Sequence, residues 1–218
     1  MTKTNRIPLN RDRVLAAAVA LADNGGLESL SMRKLAQEFG VVPMALYKHV
    51  ANRQALVDAM IDVVFAEIEL PDATGSDWKT AMRRRAHSVR AALLRHRWAV
   101  GLMESRENPG PPNRRHHNAT MGCLREAGFS LRDAVHVLSA LDSYVYGFAL
   151  QQKTLPFDTA QESREVVERV GRRIDADAYP YLIEVTTELA KSGYSYDEEF
   201  EIGLDALLAG LTTLELQN

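Results

Sequence analysis

The side chains with the clearest chemical potential lie close together near the start of the chain. Pro43, Met44, Tyr47, Lys48 and His49 place a cation, a phenol and an imidazole beside two apolar groups. Cations, hydroxyls and imidazoles bond to phosphate oxygens and base edges, and apolar groups contact thymine methyls in the major groove of DNA. If one exposed face carries these side chains, the segment can bind double-stranded DNA.

Such a face needs an element that holds it out of the core, and the sequence predicts a helix-turn-helix. A short helix over 32–39 and another over 43–49 flank a turn with Gly40 and Val41, and Leu46 would anchor the second helix in the core. Gly40 supplies the left-handed backbone conformation that ends the first of the two helices. The same spacing occurs in ordinary helical bundles, in which the charged side chains are only solvated.

Composition and charge are compatible with DNA contact at one end of the chain. The 218 residues are 46% hydrophobic and 25% charged, as in ordinary globular proteins, and the formal net charge is −3. Residues 1–60 carry eight Lys and Arg against five Asp and Glu, a charge of +3, so residues 61–218 carry −6. One cysteine, a polar start and the lack of a long apolar run predict no disulfide, signal peptide or membrane span. We expect a cytoplasmic location, at the nucleoid when DNA is bound.

Helical periodicity runs through nearly the whole sequence, so we predict an all-α protein. An N-terminal three-helix DNA-binding domain at 1–52 would be joined by a connecting helix at 53–70 to a larger helical domain at 71–218. The Pro/Gly/Ser-rich break PDATGSD, residues 71–77, marks the boundary. The predicted N-caps are Asn10, Ser31, Asn52, Asn113 and Ser130. The predicted helices cover 11–25, 32–39, 43–49, 53–71, 78–96, 99–104, 113–127, 131–153, 158–174, 178–192 and 197–216.

Three stretches carry a resemblance to a known family. Residues 13–60, which contain LSMRKLAQEFGV, the VxxxxLYxHV pattern of 41–50 and Asn52-Arg53 followed by ALVDAM, resemble the DNA-binding domain of the TetR family of bacterial repressors. AGFSLRDAVHVLSALDSYVYGFAL and FEIGLDALLAGL resemble two helices of the regulatory domain in the tetracycline-repressor branch. The resemblance covers almost the whole chain and implies a homodimeric, ligand-responsive regulator.

The resemblance also implies a set of residues that contact DNA. Arg33 would read guanine, because arginine can donate to both O6 and N7. Pro43 and Met44 would touch thymine methyls or sugar edges. The full set is Arg33, Pro43, Met44, Ala45, Tyr47, Lys48, His49 and Arg53.

Other members of this set would bind the phosphate backbone of the DNA. The resemblance gives that role to Tyr47, His49 and Arg53. Lys48 stands where the tetracycline repressor has a tryptophan, and Ala45 has no hydroxyl. The operator sequence of the tetracycline repressor therefore cannot be carried over to this chain.

The resemblance assigns two helices to a dimeric four-helix bundle. Residues 131–153 show two apolar stripes, which suits a helix that packs in its own core and on a partner. Gly203 and Gly210 lie on nearly one face of the last helix, where a close helix approach would compensate their cost to helix stability. The alternative is a monomer in which both are core helices. The predicted interface residues are Leu138, Leu141, Val145, Gly203, Leu207, Gly210 and Leu211.

The predicted effector pocket departs from the tetracycline branch. By the resemblance, Met103 and Gln151 occupy the positions of the histidine and glutamate that approach magnesium, and neither a thioether nor a neutral amide suits that ion. Glu69 and Arg85 likewise replace a histidine and an asparagine. We therefore expect an unknown small organic effector, with no metal and no cofactor. The pocket residues are Glu69, Arg85, Val89, Met103, Tyr144, Phe148 and Gln151, although each could be an ordinary core residue.

Enzymatic interpretations find little support in the sequence. It contains no Walker A, GxGxxG, GxSxG or HExxH motif. His116 and His117 are adjacent, diverge on a helix and make a poor metal pair, so we expect a basic surface pair. Cys123 is expected to be a small buried residue.

We therefore predict a repressor that binds a palindromic operator as a homodimer and is released by a small organic effector. An alternative is an all-α ligand-binding or interaction protein whose DNA-binding domain is vestigial. An enzyme of helical fold is a more distant third.

Overall fold

A computed structural model describes residues 8–72, 77–103 and 109–215, and these residues confirm the all-α prediction. Within them no strand occurs, and no helix is long and apolar enough to cross a membrane. The chain divides into two compact units, residues 1–146 and residues 147–218. The helices of the described residues are α1 Arg11–Gly25, α2 Met32–Glu38, α3 Pro43–Leu46, α4 Arg53–Glu67, α5 Trp78–Arg95, α6 Pro111–Glu126, α7 Leu131–Thr154, α8 Ala160–Gly171, α9 Pro180–Ser192 and α10 Tyr196–Glu215.

The helix starts that depend on capping side chains lie where the sequence predicts them. Asn10, Ser31 and Asn52 each accept a hydrogen bond from the backbone N–H three residues on, at 2.9, 3.1 and 2.8 Å. At the start of α7, Ser130 Oγ accepts from the Asp133 N–H at 3.1 Å. Gly40 has a φ of 60°, the left-handed conformation expected for the turn between α2 and α3.

Three predicted helices end earlier than expected, and one of them, predicted for 158–174, is observed as Ala160–Gly171. The third ends at Leu46, and residues 47–49 form a turn in which the His49 N–H donates to the Leu46 carbonyl. The fourth ends at Glu67, because Ile68 is extended and the Glu69 N–H donates to Ser88 Oγ on α5 at 2.8 Å. The chain thus leaves α4 before Pro71 could stop it.

Two further predictions near the middle of the chain are wrong. Helix α6 begins at Pro111 with Gly110 as its cap, because proline suits the first helical position, so Asn113 lies buried inside the first turn. In place of the short helix predicted for 99–104, a single 3₁₀ turn covers Arg97–Ala99. Glu104 lies outside the described residues.

The helix-turn-helix packs on buried apolar side chains of the first unit. Leu35 of α2, Leu46 of α3 and Leu56 of α4 are all fully buried, and Val50 is nearly so. This confirms the predicted role of Leu46 as an anchor. Burial of a leucine side chain stabilises the folded state by roughly 1.5–3 kcal/mol. These contacts therefore hold α2 and α3 at a defined crossing angle.

The second unit contains the hairpin of α8 and α9 and the last helix. A reciprocal capping box between Thr159 and Glu162 starts α8. Phe148 packs edge-on against Phe200 of α10, with ring centroids 5.2 Å apart. None of the residues of α9 is buried within the chain.

Candidate DNA interface and ligand cavity

The helix-turn-helix exposes most of the side chains that the sequence assigns to DNA. On α2 Arg33 is exposed, and around α3 so are Met44, Tyr47 and Lys48, with 73% of Met44 open to solvent. Leu46 of the same helix is, by contrast, fully buried. One side of α3 therefore packs in the core, and the other side is accessible to a ligand.

The remaining members of the set differ in exposure. Pro43 is exposed, whereas Ala45 and His49 are half-buried. Arg53 is exposed, and its guanidinium donates to the Leu27 carbonyl at 3.2 Å. In this structure Arg53 therefore ties the start of α4 to the turn after α1, a contact that the sequence did not reveal.

A polar joint connects α1 to the far end of α4. His96 is buried and places Nδ1 2.8 Å from Asp23 Oδ1 of α1 and Nε2 3.2 Å from the carboxylate of Glu67 on α4. Trp98 Nε1 donates to the same Asp23 oxygen at 2.7 Å, and Arg95 donates to Glu67 at 2.8 Å. Asp23 and Glu67 lie far in the sequence from His96, and no motif marks the three residues.

Hydrogen bonds from Arg95 and His96, together with nearby charge, stabilise the ionised form of Glu67 in this joint. Partial burial raises the pKa of Glu67, but hydrogen bonds and the charges of Arg95 and His96 outweigh burial and hold the pKa below its ordinary value. The carboxylate thus stays charged at neutral pH and keeps its contacts with the segment that follows α5.

A second polar cluster lies inside the first unit, between α5, α6 and α7. Arg85 has a fully buried side chain and pairs with Asp142 at 2.7 Å. Its Nε donates to Thr120 Oγ1 at 3.2 Å, and this hydroxyl donates to the His116 carbonyl at 2.9 Å. Arg85, predicted as a pocket residue, is therefore part of an ion pair whose partner the sequence did not single out.

His116 is fully buried, so the expectation of a basic surface pair is wrong for it. Its ring lies 5.7 Å from that of Phe65 on α4, and neither ring nitrogen has a hydrogen-bond partner among the described residues. Burial, together with the charges of Arg85 and His117, lowers the pKa of His116 to about 3. The imidazole is thus neutral at physiological pH.

Two cavities meet at His117 on α6. The larger, of about 500 Å³, runs along the exposed side of α6, and its lining residues are Met103, Pro109, Asn113, Arg114, His117, Asn118 and Met121. The smaller, of about 320 Å³, is a groove on α7, and its lining residues are His117, Val135, Leu138, Ser139, Asp142, Ser143 and Tyr146. Both volumes lie within the range of small-molecule sites.

The predicted pocket residues do not all come together. Met103 lines the larger cavity, and Glu69 and Arg85 line a separate recess of about 20 Å³. Val89 is fully buried in the core of the first unit, and Tyr144 is half-buried.

Two predicted pocket residues belong to the second unit. Phe148 packs on Phe200 and Tyr196, and Gln151 is exposed. In the described part of the chain, no group of three or more His, Cys, Asp or Glu side chains is placed to hold a metal.

Cys123 is buried, as predicted. Burial, together with the carboxylates of Glu126 and Asp72, raises the pKa of its thiol. A thiol with a raised pKa is a poor nucleophile at neutral pH.

The dimer assignment needs correction on α7. Leu141 and Val145 are 0% exposed in the chain itself, because the stripe that contains them faces the core of the first unit. Leu138 is half-buried and lines the groove. The large apolar residues that α7 does expose are Leu131, Val135 and Leu150.

On α10 the predicted interface residues differ in exposure. Gly203 and Leu207 are half-buried, Leu211 is buried and Gly210 is exposed. A Cβ built on Gly210 would meet no atom within 4 Å. Packing within the chain therefore does not require glycine at this position.

Known proteins resemble the chain over nearly its whole length. The model of the family described as bacterial regulatory proteins, tetR family, matches residues 14–60, and that of the tetracyclin repressor-like C-terminal domain matches residues 70–214. An HTH-type transcriptional regulator of Saccharopolyspora erythraea is 30% identical over 93% of this chain and 84% of its own length. The HTH-type transcriptional repressor DrrR1 of Streptomyces coeruleorubidus is 31% identical over 96% of this chain and 79% of its own.

A solved structure has the same fold. The TetR family protein ActR of Streptomyces coelicolor, in complex with actinorhodin, superposes with a TM-score of 0.80 at 30% identity, over 96% of this chain and 99% of ActR.

Proposed function

The chain belongs to the TetR family of bacterial regulatory proteins, and we propose that it is a repressor that binds a palindromic operator as a homodimer and leaves it when a small organic effector binds. The observation that carries the proposal is the open face of α2 and α3. Arg33, Met44 and Lys48 are exposed there, while Leu46 is fully buried behind them. The face offers a bidentate donor, a cation and apolar contacts to a major groove.

The proposed dimer uses α10. Its exposed side carries Ile202, Ala206, Ala209 and Gly210, a row of mostly small residues at helical spacing, with Ile202 64% exposed. Small residues permit close approach of a second helix, and a two-fold dimer presents two recognition faces to two half-sites. This supports an operator with dyad symmetry.

The proposed release acts through α4, which spans the first unit from the DNA-binding helices to the joint at His96. Phe65 of α4 packs on the rings of His116 and His117 of α6, at 5.7 and 6.1 Å between centroids. A Cβ on Gly110 at the start of α6 would overlap the Asp62 carboxylate of α4. A ligand that shifts α6 must therefore shift α4, and it releases DNA if it binds the shifted form better, by a coupling of about 1–3 kcal/mol.

The test is DNA binding by two neighbouring variants. Arg33→Ala should remove operator discrimination, with a loss of about 1–3 kcal/mol per half-site and the fold intact. Lys34→Ala is the matched control, because it removes the same charge one residue along α2 and should weaken all sequences equally. Fluorescence anisotropy on operator and scrambled duplexes at several salt concentrations measures both effects. Equal loss on both duplexes for Arg33→Ala, or a footprint without a dyad, would contradict the proposal.

The main alternative is a ligand-binding protein with a vestigial DNA-binding domain. It predicts no salt-dependent duplex binding, so the same titration separates the two. The relatives are transcriptional regulators, and we propose that this chain likewise acts without catalysis. We also propose that it works in the cytoplasm, at the nucleoid when bound to DNA.

A further inference from the structure

The polar joint at His96 places an imidazole between two carboxylates. Nδ1 of His96 lies 2.8 Å from Asp23 Oδ1, and Nε2 lies 3.2 Å from each carboxylate oxygen of Glu67. Among the described residues, Asp23 is the charged group that faces the ring from α1, and Glu67 is the one that faces it from α4. From the end of α5, Arg95 donates to Glu67. Two acidic groups thus meet two basic ones in this joint.

A neutral imidazole cannot satisfy both contacts of the ring. It carries a single N–H, so its other nitrogen would turn a lone pair toward a carboxylate, in a site where only 7% of the His96 side chain is exposed. The Asp23 oxygen also accepts from Trp98 Nε1, and an ionised carboxylate has no proton to give back. The imidazolium donates at both ends and, together with Arg95, balances the charges of the two carboxylates. The two contacts of His96 therefore require a second proton on the ring.

The joint sets the position of the DNA-binding helices. Asp23 lies in the last turn of α1, and α1 packs on α2, which carries the exposed Arg33. Glu67 is the last residue of α4, the helix that follows the helix-turn-helix. When the ring loses its second proton, one of the two contacts becomes repulsive, and α1 is released from this end of α4.

We propose that His96 is a positioning residue for operator binding: with both nitrogens protonated it holds α1 to α4, and loss of one proton releases α1 and weakens binding to the operator. The inference rests on the proposed function, since it takes the pose held by the joint to be the one that fits the operator. A domain held in its bound pose loses less conformational freedom on binding. Because the closed joint holds one more proton than the open joint, operator affinity should fall as the pH rises through the neutral range, in which histidine changes charge.

The first experiment measures operator affinity of the full-length protein by fluorescence anisotropy from about pH 6 to about pH 9, at constant ionic strength. The Kd of the native protein should rise at least about fivefold more than that of His96→Gln, because glutamine does not change charge in this range. The remaining histidines are common to both proteins, so their contribution cancels. His136→Gln removes an exposed imidazole and is the matched control that should keep the native profile. Parallel profiles for the native protein and His96→Gln overturn the proposal, as does a native affinity that rises with pH relative to the variant.

A second variant keeps the ring and removes one of its two carboxylates. In Asp23→Asn a neutral imidazole can donate to Glu67 while its other nitrogen faces an uncharged amide, so the pH dependence should shrink as it does in His96→Gln. Circular dichroism verifies the fold of both variants. A native-like pH profile in Asp23→Asn overturns the requirement for the second proton.

The second experiment needs no DNA. The rings of His96 and Trp98 lie 6.1 Å apart, and an imidazolium quenches indole fluorescence more strongly than a neutral imidazole does. Emission of the native protein should therefore increase with pH at the midpoint of the loss of operator affinity, and His96→Gln should lack this step. Absence of the step, or a different midpoint, overturns the proposal. A protein that binds no duplex would refute the repressor function, while the fluorescence step would still decide whether His96 carries the proton in the joint.

Discussion

Replacement of His116 by leucine should make the protein resist acid better. The folded pKa of His116 is lowered to about 3 from an ordinary value of 6.5, because burial and the charges of Arg85 and His117 disfavour the imidazolium. Below pH 6.5 the imidazole of His116 therefore takes up a proton in the unfolded chain but stays neutral in the folded chain. The stability that His116 contributes is complete above pH 6.5 and is lost progressively as the pH falls from 6.5 toward 3.

The expected magnitude follows from the size of this shift. One pH unit is worth about 1.36 kcal/mol, so His116 should cost the native state about 2 kcal/mol at pH 5 relative to pH 7. Leucine cannot take up a proton and also removes two buried nitrogens that lack partners among the described residues. At pH 7 the His116→Leu variant should thus be as stable as the native chain or more so.

The assay is urea denaturation followed by circular dichroism, between pH 7 and pH 5. Carboxylates have not yet titrated in this window, and the other histidines are common to both proteins. His136→Leu is the matched control, because it removes an exposed imidazole. Parallel pH profiles for native protein and His116→Leu would refute the reasoning, as would a loss of several kcal/mol at pH 7 for the leucine variant.

Three other perturbations test other parts of the molecule. Gly210→Ala should stabilise an isolated protomer by about 1 kcal/mol, because alanine has the higher helix propensity, but it should weaken the dimer. An unchanged dimer dissociation constant, measured by analytical sedimentation, would place the interface elsewhere. Asp23→Asn removes the carboxylate that faces His96 and accepts from Trp98, so the free energy of unfolding should fall by about 1–3 kcal/mol, and undiminished stability would contradict the role of the joint. Because Met103 and Gln151 are poor ligands for magnesium, release of operator by any effector should not depend on that ion, and magnesium-dependent release by anhydrotetracycline at sub-micromolar levels would refute this.

Local chemistry explains why much of the fold was predictable. Asn10, Ser31 and Asn52 cap helices through bonds to residues three positions away, so a short window of sequence contains the whole interaction. The end of α4 was not predictable in this way, because the Glu69 N–H finds its partner, Ser88, on another helix. Helix ends that depend on distant partners are therefore displaced from their predicted positions.

The DNA-binding face was predictable for a related reason. The spacing of Gly40 and Leu46 determines which side of a short helix turns inward, and the opposite side is then exposed. It was harder to predict which of the two apolar stripes of α7 is buried, because both are apolar enough to lie in the core. The sequence could not indicate that the stripe with Leu141 and Val145 faces the protein interior.

By itself, the sequence determined the helical class, the helix-turn-helix and the exposed side chains that would meet DNA, since all of these follow from periodicity and contacts between near neighbours. Only the tertiary structure decided that Arg85 pairs with Asp142 and that His96 joins Asp23 to Glu67. The physical reason is distance along the chain. Many acidic and basic side chains in the sequence could form ion pairs with one another. Only the packing of α1, α4, α5 and α7 decides which of them come close enough to do so.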